Sequence, residues 1–414
     1  MISRRHVLGA SLAMPFVARA EAAGQQVVVV GGGFGGATVA RFVRRYGPAL
    51  RVTLVEAEPD YVACPYSNEV IAGLRDLSAQ QFRFRPEEGV TLALGRATGV
   101  DATARRVTLA DGSVLPYDRL ILSPRVDIAY DKLPGYDEAA AESMPHAWKA
   151  GVQTELLRRQ LEAMPDGGTV IISSPPNPYR CPPGPYERAS LVAYYLKTKK
   201  PRSKLLILDS KDAFSKQPLF EAGWAKLYPG LLERVSQSDG GTVTGVDPGK
   251  RIFKTDFGDH QADVANVVPP QRAGKIAAVA GAADRTGWCP IDPITFESRL
   301  VPGIHVIGDA AIAGAMPKSA FAANAQAKAC AAAVVALLAE AKPAEPLLMN
   351  TCYSMLAPGM AISVAGVYRP KDGLLTDTLG AGGLSPLDAP PEFRAREAGH
   401  ADAWFRTITS ETFG

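Results

Sequence analysis

The sequence predicts an α/β protein with two Rossmann-like dinucleotide-binding domains and a small C-terminal domain. Three observations carry this. A glycine fingerprint opens the chain at "VVVVGGGFGG". A second strand–turn–helix–strand unit begins near Gly167. A late strand ending in Gly308-Asp309 runs into a long Ala-rich helix. With 414 residues the chain is too long for one ordinary core.

The first segment, "MISRRHVLGASLAMPFVARAEAAG", has a charged start, a short apolar stretch and A-x-A-like sites near Ala20 and Ala22. It is too short to span a bilayer and reads as an export signal. Arg4 and Arg5 precede the apolar stretch, so residues 1–23 are expected to be a twin-arginine signal. A general secretory signal with two chance arginines is the alternative. The twin-arginine route exports folded proteins, which suits a chain that acquires its cofactor first and works in the periplasm.

"QQVVVVGGGFGGATVARFVRRYGPALRVTLVEAEP" reads as strand, glycine turn, helix, strand. G-x-G-x-x-G falls on Gly31, Gly33 and Gly36. These serve a tight turn, close approach to a pyrophosphate, and close helix–strand packing. The pyrophosphate then sits at the positive helix N-terminus. Glu56 ends the second strand, where a ribose hydroxyl needs an acceptor. "ARRVTLADGSVLPYDRLILSP" reads as a hairpin and a return strand.

In the second unit, "GGTVIISS" is a buried strand, "YERASLVAYYLK" a helix and "SKLLILDS" another strand. The turn after the first strand, "PPNPYRCPPGP", holds prolines and Cys181 where phosphate-binding glycines would stand. The nicotinamide site therefore reads as degenerate. Residues 241–270 are expected to form hairpin strands. Further on, "VPGIHVIGDA" is a strand whose Asp309 would accept from a flavin ribityl hydroxyl. The helix after "MPKSA" would aim its N-terminus at the flavin ring. FAD rather than NAD follows from pairing this segment with the N-terminal fingerprint. The expected division is 24–125 with 285–345 for FAD, 126–284 for the second domain, and 346–414 for the third.

At 47% hydrophobic and 21% charged, the composition excludes disorder and a polytopic membrane protein. The net charge is +3 and no basic run carries interleaved aromatics, so nucleic acid is not an expected partner. "KTKKPRSK" reads as a solvated helix end. No metal site is expected. The cysteines are Cys64, Cys181, Cys289, Cys330 and Cys352, an odd number for an exported protein. No C-x-x-C-H is present, so the chain attaches no c-type haem of its own.

"ACPYSNEVIAG", "RCPPGPYERAS", "WCPIDPITFES", "MPKSAFAANAQAK" and "NTCYSMLAPGMAISVAGVYRP" together resemble the flavoprotein subunit of flavocytochrome c sulfide dehydrogenase. The similarity runs over nearly the whole chain after the signal. It implies a glutathione reductase-like fold, oxidation of sulfide, and transfer of electrons from FAD to the haem of a c-type cytochrome subunit. By this resemblance, Cys64 carries the flavin through a thioether to its 8α carbon. Cys181 and Cys352 form a redox-active disulfide beside the ring, with Cys352 nearer to it. A purely structural disulfide is the alternative. Cys289 and Cys330 remain as buried thiols.

In the mechanism so implied, hydrosulfide attacks the disulfide and leaves a persulfide and a thiolate. Glu187, near the start of the next helix, manages a proton or only favours the helix dipole. Lys318 sits by the flavin or is an ordinary surface lysine. Three other readings compete. A sulfide:quinone oxidoreductase needs a membrane-contacting apolar surface, and the tail "PPEFRAREAGHADAWFRTITSETFG" shows no wide apolar face, so no membrane insertion is expected. An NADH-dependent oxidoreductase needs the glycines the second unit lacks. A non-catalytic flavin-bearing accessory subunit of a sulfur-oxidising system is the third.

Overall fold

The computed structural model describes residues 24–414. The export signal read over 1–23 lies outside the described residues. The valines of Gln26–Val30 are buried, as a strand covered on both faces must be. That strand is central in a parallel five-stranded sheet. The spatial order is Ile304–Val306, Arg119–Leu122, Gln26–Val30, Arg51–Glu56, Val90–Leu94. The late strand Ile304–Val306 thus completes the sheet begun at the N-terminus.

Between Gln26–Val30 and the helix Gly36–Tyr46 the chain turns at Gly31, whose φ of 99° suits glycine. A Cβ on Gly36 would lie 1.6 Å from the Gly31 carbonyl oxygen, so only glycine allows this approach.

A second parallel sheet has the order Leu232–Val235, Lys204–Asp209, Thr169–Ser174, Val264–Val267. Its side chains alternate between two cores. Val170 and Ile172 pack with Leu157, Tyr186 and Phe220, whereas Ile171 packs with Met144, Phe253 and Val267. The hairpins expected over 241–270 form only in part. Val243–Asp247, Ile252–Thr255 and Gly258–Gln261 make an antiparallel meander. Val264–Val267 instead joins the parallel sheet, because all four residues are buried and no solvent face exists to pattern them. Where the chain passes between the two units, Val126–Ile128 pairs antiparallel with Gln271–Ala273.

The C-terminal part is an antiparallel sheet, Leu348–Ala357, Met360–Lys371 and Leu374–Asp377, followed by the helix Pro391–Phe413. This helix buries Arg394, Glu397, Ala398, Ala401, Phe405, Ile408 and Thr412, a stripe at helical spacing. Among the described residues one helix, Ala320–Leu338, is long and apolar enough to cross a membrane. It packs instead against Gly36–Tyr46 and Leu348–Ala357 inside the fold.

Candidate active site

The two parallel sheets and the C-terminal sheet meet around one cavity. Its walls come from the glycine turn (Gly33, Phe34, Gly35), the 61–68 loop, Arg180–Arg188, Gly308-Asp309, the start of Ala320–Leu338, and Thr351–Met355. It encloses roughly 1310 Å³ of atom-free space, its open mouth included.

The expected cofactor residues divide into lining and supporting groups. Gly33 lines the cavity, and a Cβ there would meet no protein atom closer than 3.4 Å, so the space beside it stays open to a ligand. Gly31 and Gly36 stand behind the turn and shape it. The Gly32 N–H donates to Glu56 Oε2 at 2.5 Å and the Ala57 N–H to Oε1 at 2.8 Å. Arg125 lies 3.8 Å from the same carboxylate. Glu56 therefore fixes the turn and keeps spare lone pairs for a ribose. Asp309 is at the cavity wall, and its buried Oδ1 has no hydrogen-bond partner. Burial raises its pKa, against the opposing charges of Arg180, Lys318 and Arg125. An orphaned buried acceptor is costly, and a ribityl hydroxyl is the kind of donor it lacks. Ser319 caps the Ala320–Leu338 helix, accepting from the Ala322 N–H at 3.0 Å and donating to Asn350 at 2.6 Å. The helix N-terminus so held opens into the cavity. These residues fit FAD.

Lys318 is placed differently from the sequence expectation. It does not line the cavity. Its Nζ donates to the Asp309 and Ala311 carbonyls at 2.7 and 2.8 Å and lies 4.0 Å from the Trp288 ring centre. Burial lowers its pKa to about 8. Its task is to hold the Asp309 loop, and its carbonyl also receives the Cys181 N–H at 2.8 Å.

Cys64, Cys181 and Cys352 all line this cavity, whereas Cys289 and Cys330 are fully buried elsewhere in the core. All five are thiols here, so the bridge expected between Cys181 and Cys352 is not formed in this structure. Cys181 has a φ of 57°, a left-handed conformation that costs a non-glycine residue about 1–3 kcal/mol. The proline-rich loop enforces it, and Gly184 makes the space. A Cβ on Gly184 would reach 2.7 Å from the Trp148 ring and 3.0 Å from Cys181 Sγ. Burial, then Cys352 and Glu187, raise the Cys181 pKa. Glu187 accepts from the Met355 N–H at 2.9 Å and Asn68 Nδ2 at 2.8 Å. Burial raises its pKa as well.

Sequence reasoning missed the cations of this site. Arg188, almost fully buried, donates to the His146 and Ala147 carbonyls, Asn266 and Asn68 at 2.6–3.0 Å. It thereby holds the 146–148 wall against the 61–68 loop, and burial lowers its pKa to about 10. Arg180 donates to the Trp148 carbonyl. It feels the charges of Cys64, Asp309, Tyr61 and Cys181. Lys216 donates to Ser354 Oγ at 2.7 Å and to the Cys352 carbonyl at 3.0 Å. Its only advance cue would have been a lysine just ahead of a helix.

At the strand ends of the second sheet, side chains bond to one another. Asp209 accepts from Tyr186 Oη, Lys211 Nζ and Arg234 Nε at 2.7–2.8 Å. The Tyr186 and Phe214 rings stack with centroids 3.6 Å apart. Lys211 also donates to Ser174 Oγ and the Pro175 carbonyl, both at 2.8 Å, pinning the start of the proline loop.

Known proteins bear on all three parts. The family model described as sulfide dehydrogenase [flavocytochrome c] flavoprotein chain, central, matches residues 154–269. The flavocytochrome c sulphide dehydrogenase, flavin-binding model matches 344–413. The pyridine nucleotide-disulphide oxidoreductase model matches 25–141. A sulfide dehydrogenase [flavocytochrome c] flavoprotein chain of Chlorobaculum thiosulfatiphilum is 54% identical over 46 residues, 11% of this chain and 96% of that sequence. Mouse mitochondrial sulfide:quinone oxidoreductase is 23% identical over 300 residues, covering 69% of this chain and 65% of the mouse protein. The crystal structure of the sulfide:quinone oxidoreductase from Aquifex aeolicus superposes with a TM-score of 0.74 at 17% identity, covering 94% of this chain and 92% of that one. That likeness shows the same α/β flavoprotein fold. With the cavity described above, these matches make the chain an FAD flavoprotein that belongs to the flavoprotein subunits of the flavocytochrome c sulfide dehydrogenases.

Proposed function

We propose that the protein oxidises sulfide at the Cys181–Cys352 pair and delivers the electrons, through FAD held covalently on Cys64, to a c-type cytochrome subunit in the periplasm. The observation that carries this is the convergence of three cysteines, separated in sequence, on one cavity that the glycine turn and Asp309 also line. In its working oxidised form the pair is a disulfide. Hydrosulfide opens it by thiol–disulfide exchange. Bound in the cavity, FAD would supply an acceptor for the electron pair that can be reoxidised one electron at a time. Gly33, Asp309 and the Ala320–Leu338 N-terminus bind and orient the cofactor. Glu187 lies near the pair with a raised pKa and manages the proton that the persulfide gives up after the exchange. Trp148 and the Arg188 clamp close the wall behind Cys181. The proline-rich turn after Thr169–Ser174, where phosphate-binding glycines would stand, supports a chain that takes electrons from sulfide and not from NADH.

The relation to sulfide:quinone oxidoreductases gives the second reading, with quinone as acceptor. The test is steady-state sulfide oxidation by the FAD-loaded protein co-purified with its haem subunit. Sulfide-dependent reduction of the haem, with no dependence on added quinone, is the expected result. Reduction of a soluble quinone with the haem left oxidised would establish the second reading, and no sulfide consumption with either acceptor would refute both.

A further inference from the structure

Lys216 is a buried cation without a counter-ion. Only 3% of its surface is exposed. Its Nζ bonds Ser354 Oγ at 2.7 Å and the Cys352 carbonyl at 3.0 Å, both neutral acceptors. No carboxylate lies within ion-pair distance of it among the described residues. Leaving a charge so placed is expensive unless something pairs with it. The nearest group able to become an anion is Cys352 Sγ, at 3.8 Å. The backbone reinforces the placement, because Lys216 sits at φ 64°, a left-handed conformation that a lysine adopts at a cost.

Cys181 has the opposite surroundings. No hydrogen bond to its sulfur is found among the described residues. It precedes the helix Gly184–Lys199, whose N-terminus would ordinarily favour a thiolate. Yet Pro182, Pro183 and Pro185 carry no N–H, and the N–H groups of Gly184, Tyr186 and Glu187 are spent on the Cys181 and Pro183 carbonyls. The Glu187 carboxylate adds an unfavourable charge nearby.

We propose that Lys216 is a catalytic residue: its ammonium holds Cys352 as the thiolate of the pair, so Cys352 is the leaving sulfur and Cys181 the sulfur that hydrosulfide attacks. The inference rests on the reading of Cys181 and Cys352 as a reversible disulfide pair. In the step, a hydrosulfide lone pair forms a new S–S bond to Cys181 Sγ. The Cys181–Cys352 bond breaks and its electron pair stays on Cys352 Sγ. The sulfide sulfur is oxidised by two electrons and the disulfide is reduced by two. The hydrosulfide proton stays on the Cys181 persulfide, and the single negative charge passes to Cys352 beside Lys216. Thiol–disulfide exchange runs faster when the leaving thiol is the more acidic one. The groups facing Cys352 are Lys216 ahead of the helix Gln217–Leu227, Cys181 from the proline loop, and Tyr368 from the strand Met360–Lys371. Glu187 acts on Lys216 from the helix Gly184–Lys199.

The test alkylates reduced, FAD-loaded protein with iodoacetamide at pH 7 and pH 9 and quantifies the Cys181 and Cys352 peptides by mass spectrometry. The ratio of rates at the two pH values cancels access and reports charge. Cys352 should show the higher ratio, Lys216→Gln should lower it about tenfold, and Lys216→Arg should keep it within about threefold. Ser354→Ala, which removes a partner of the ammonium but not the charge, should leave it unchanged, and this holds the comparison if Lys216→Gln folds poorly. In oxidised protein opened with less than one equivalent of hydrosulfide or of 2-mercaptoethanol, the added sulfur should be found on Cys181. A Cys352 ratio unaffected by Lys216→Gln, a loss in Lys216→Arg as large as in Lys216→Gln, or added sulfur on Cys352 would overturn the proposal. The alkylation and 2-mercaptoethanol readouts need neither sulfide nor an electron acceptor. They succeed or fail independently of sulfide oxidation itself.

Discussion

At the scale of single residues, three of the ten non-glycine residues with positive φ among the described residues stand at the cavity's cysteines. Tyr66, Cys181 and Lys216 all have positive φ, at 67°, 57° and 64°. None is a residue type that adopts this conformation readily. Each sits beside a cysteine that lines the cavity or is one. Strain of this kind persists only where packing over-determines it. The sequence could show which residues are cysteines but not which would be strained, because the left-handed turns depend on Gly184, Trp148 and the cap of a neighbouring helix. The surroundings of Cys64 could not be read from the sequence either. Its sulfur has one weak partner, the Trp148 carbonyl at 4.0 Å, and otherwise faces the cavity. A thiol so little engaged by protein is free to bond a cofactor. Cys64→Ala should therefore release the flavin into the supernatant on acid precipitation, whereas the parent protein carries yellow colour into the pellet. Flavin retained in the pellet of the variant would refute Cys64 as the attachment point.

At the scale of elements, the C-terminal helix shows how a polar-looking segment can be structural. Its alternation of charged and apolar residues hid a stripe that the helix Pro391–Phe413 buries. The stripe was hard to read because it includes Arg394 and Glu397, which pair with each other at 3.2 Å and reach Ser363 and Ser385. Charged residues satisfied in this way are invisible to a hydrophobic count. The last turn then inserts Phe413 among Phe34, Tyr61, Phe82 and Phe84 at centroid distances of 4.8–5.9 Å. Phe34 and Tyr61 line the cavity, so the chain end supports the glycine turn from behind. Phe413→Ala should cost about 3–5 kcal/mol of stability, the range for emptying a buried aromatic site. Urea unfolding of the holoprotein would show it as a lower midpoint. A change below about 1 kcal/mol, the level of an ordinary surface substitution, would mean the cluster is not formed.

At the scale of the whole molecule, two segments make the architecture legible: the fingerprint at Gly31–Gly36 and the late strand Ile304–Val306 that completes its sheet. Their signals are local, and the parallel sheet follows from them. The cations that tune the site come from separate elements, Arg180 and Arg188 from the second unit and Lys216 from the next helix, so no spacing in the chain records their convergence. Two buried histidines share that property and set the response of the fold to acid. His305 is wholly buried in the strand Ile304–Val306, with Nδ1–H donating to the Thr295 carbonyl at 2.8 Å. Burial lowers its pKa to about 4. His146 accepts the Trp148 N–H on Nδ1 at 2.9 Å, and burial lowers its pKa to about 3. Both are neutral in the folded protein, whereas in the unfolded chain they titrate near the ordinary 6.5. Between pH 6.5 and 4 the unfolded state therefore binds more protons, and stability falls as pH falls. Each histidine should cost about 2 kcal/mol between pH 7 and pH 5. Asp309 and Glu187 have raised pKa values and act in the opposite sense, so the clean measurement is a difference. His305→Gln keeps a donor for Thr295 and removes the titration. The loss of stability between pH 7 and pH 5, taken from urea unfolding, should shrink by about 2 kcal/mol relative to the parent. An unchanged loss would mean that His305 takes up its proton without unfolding, and that it is not held neutral by burial.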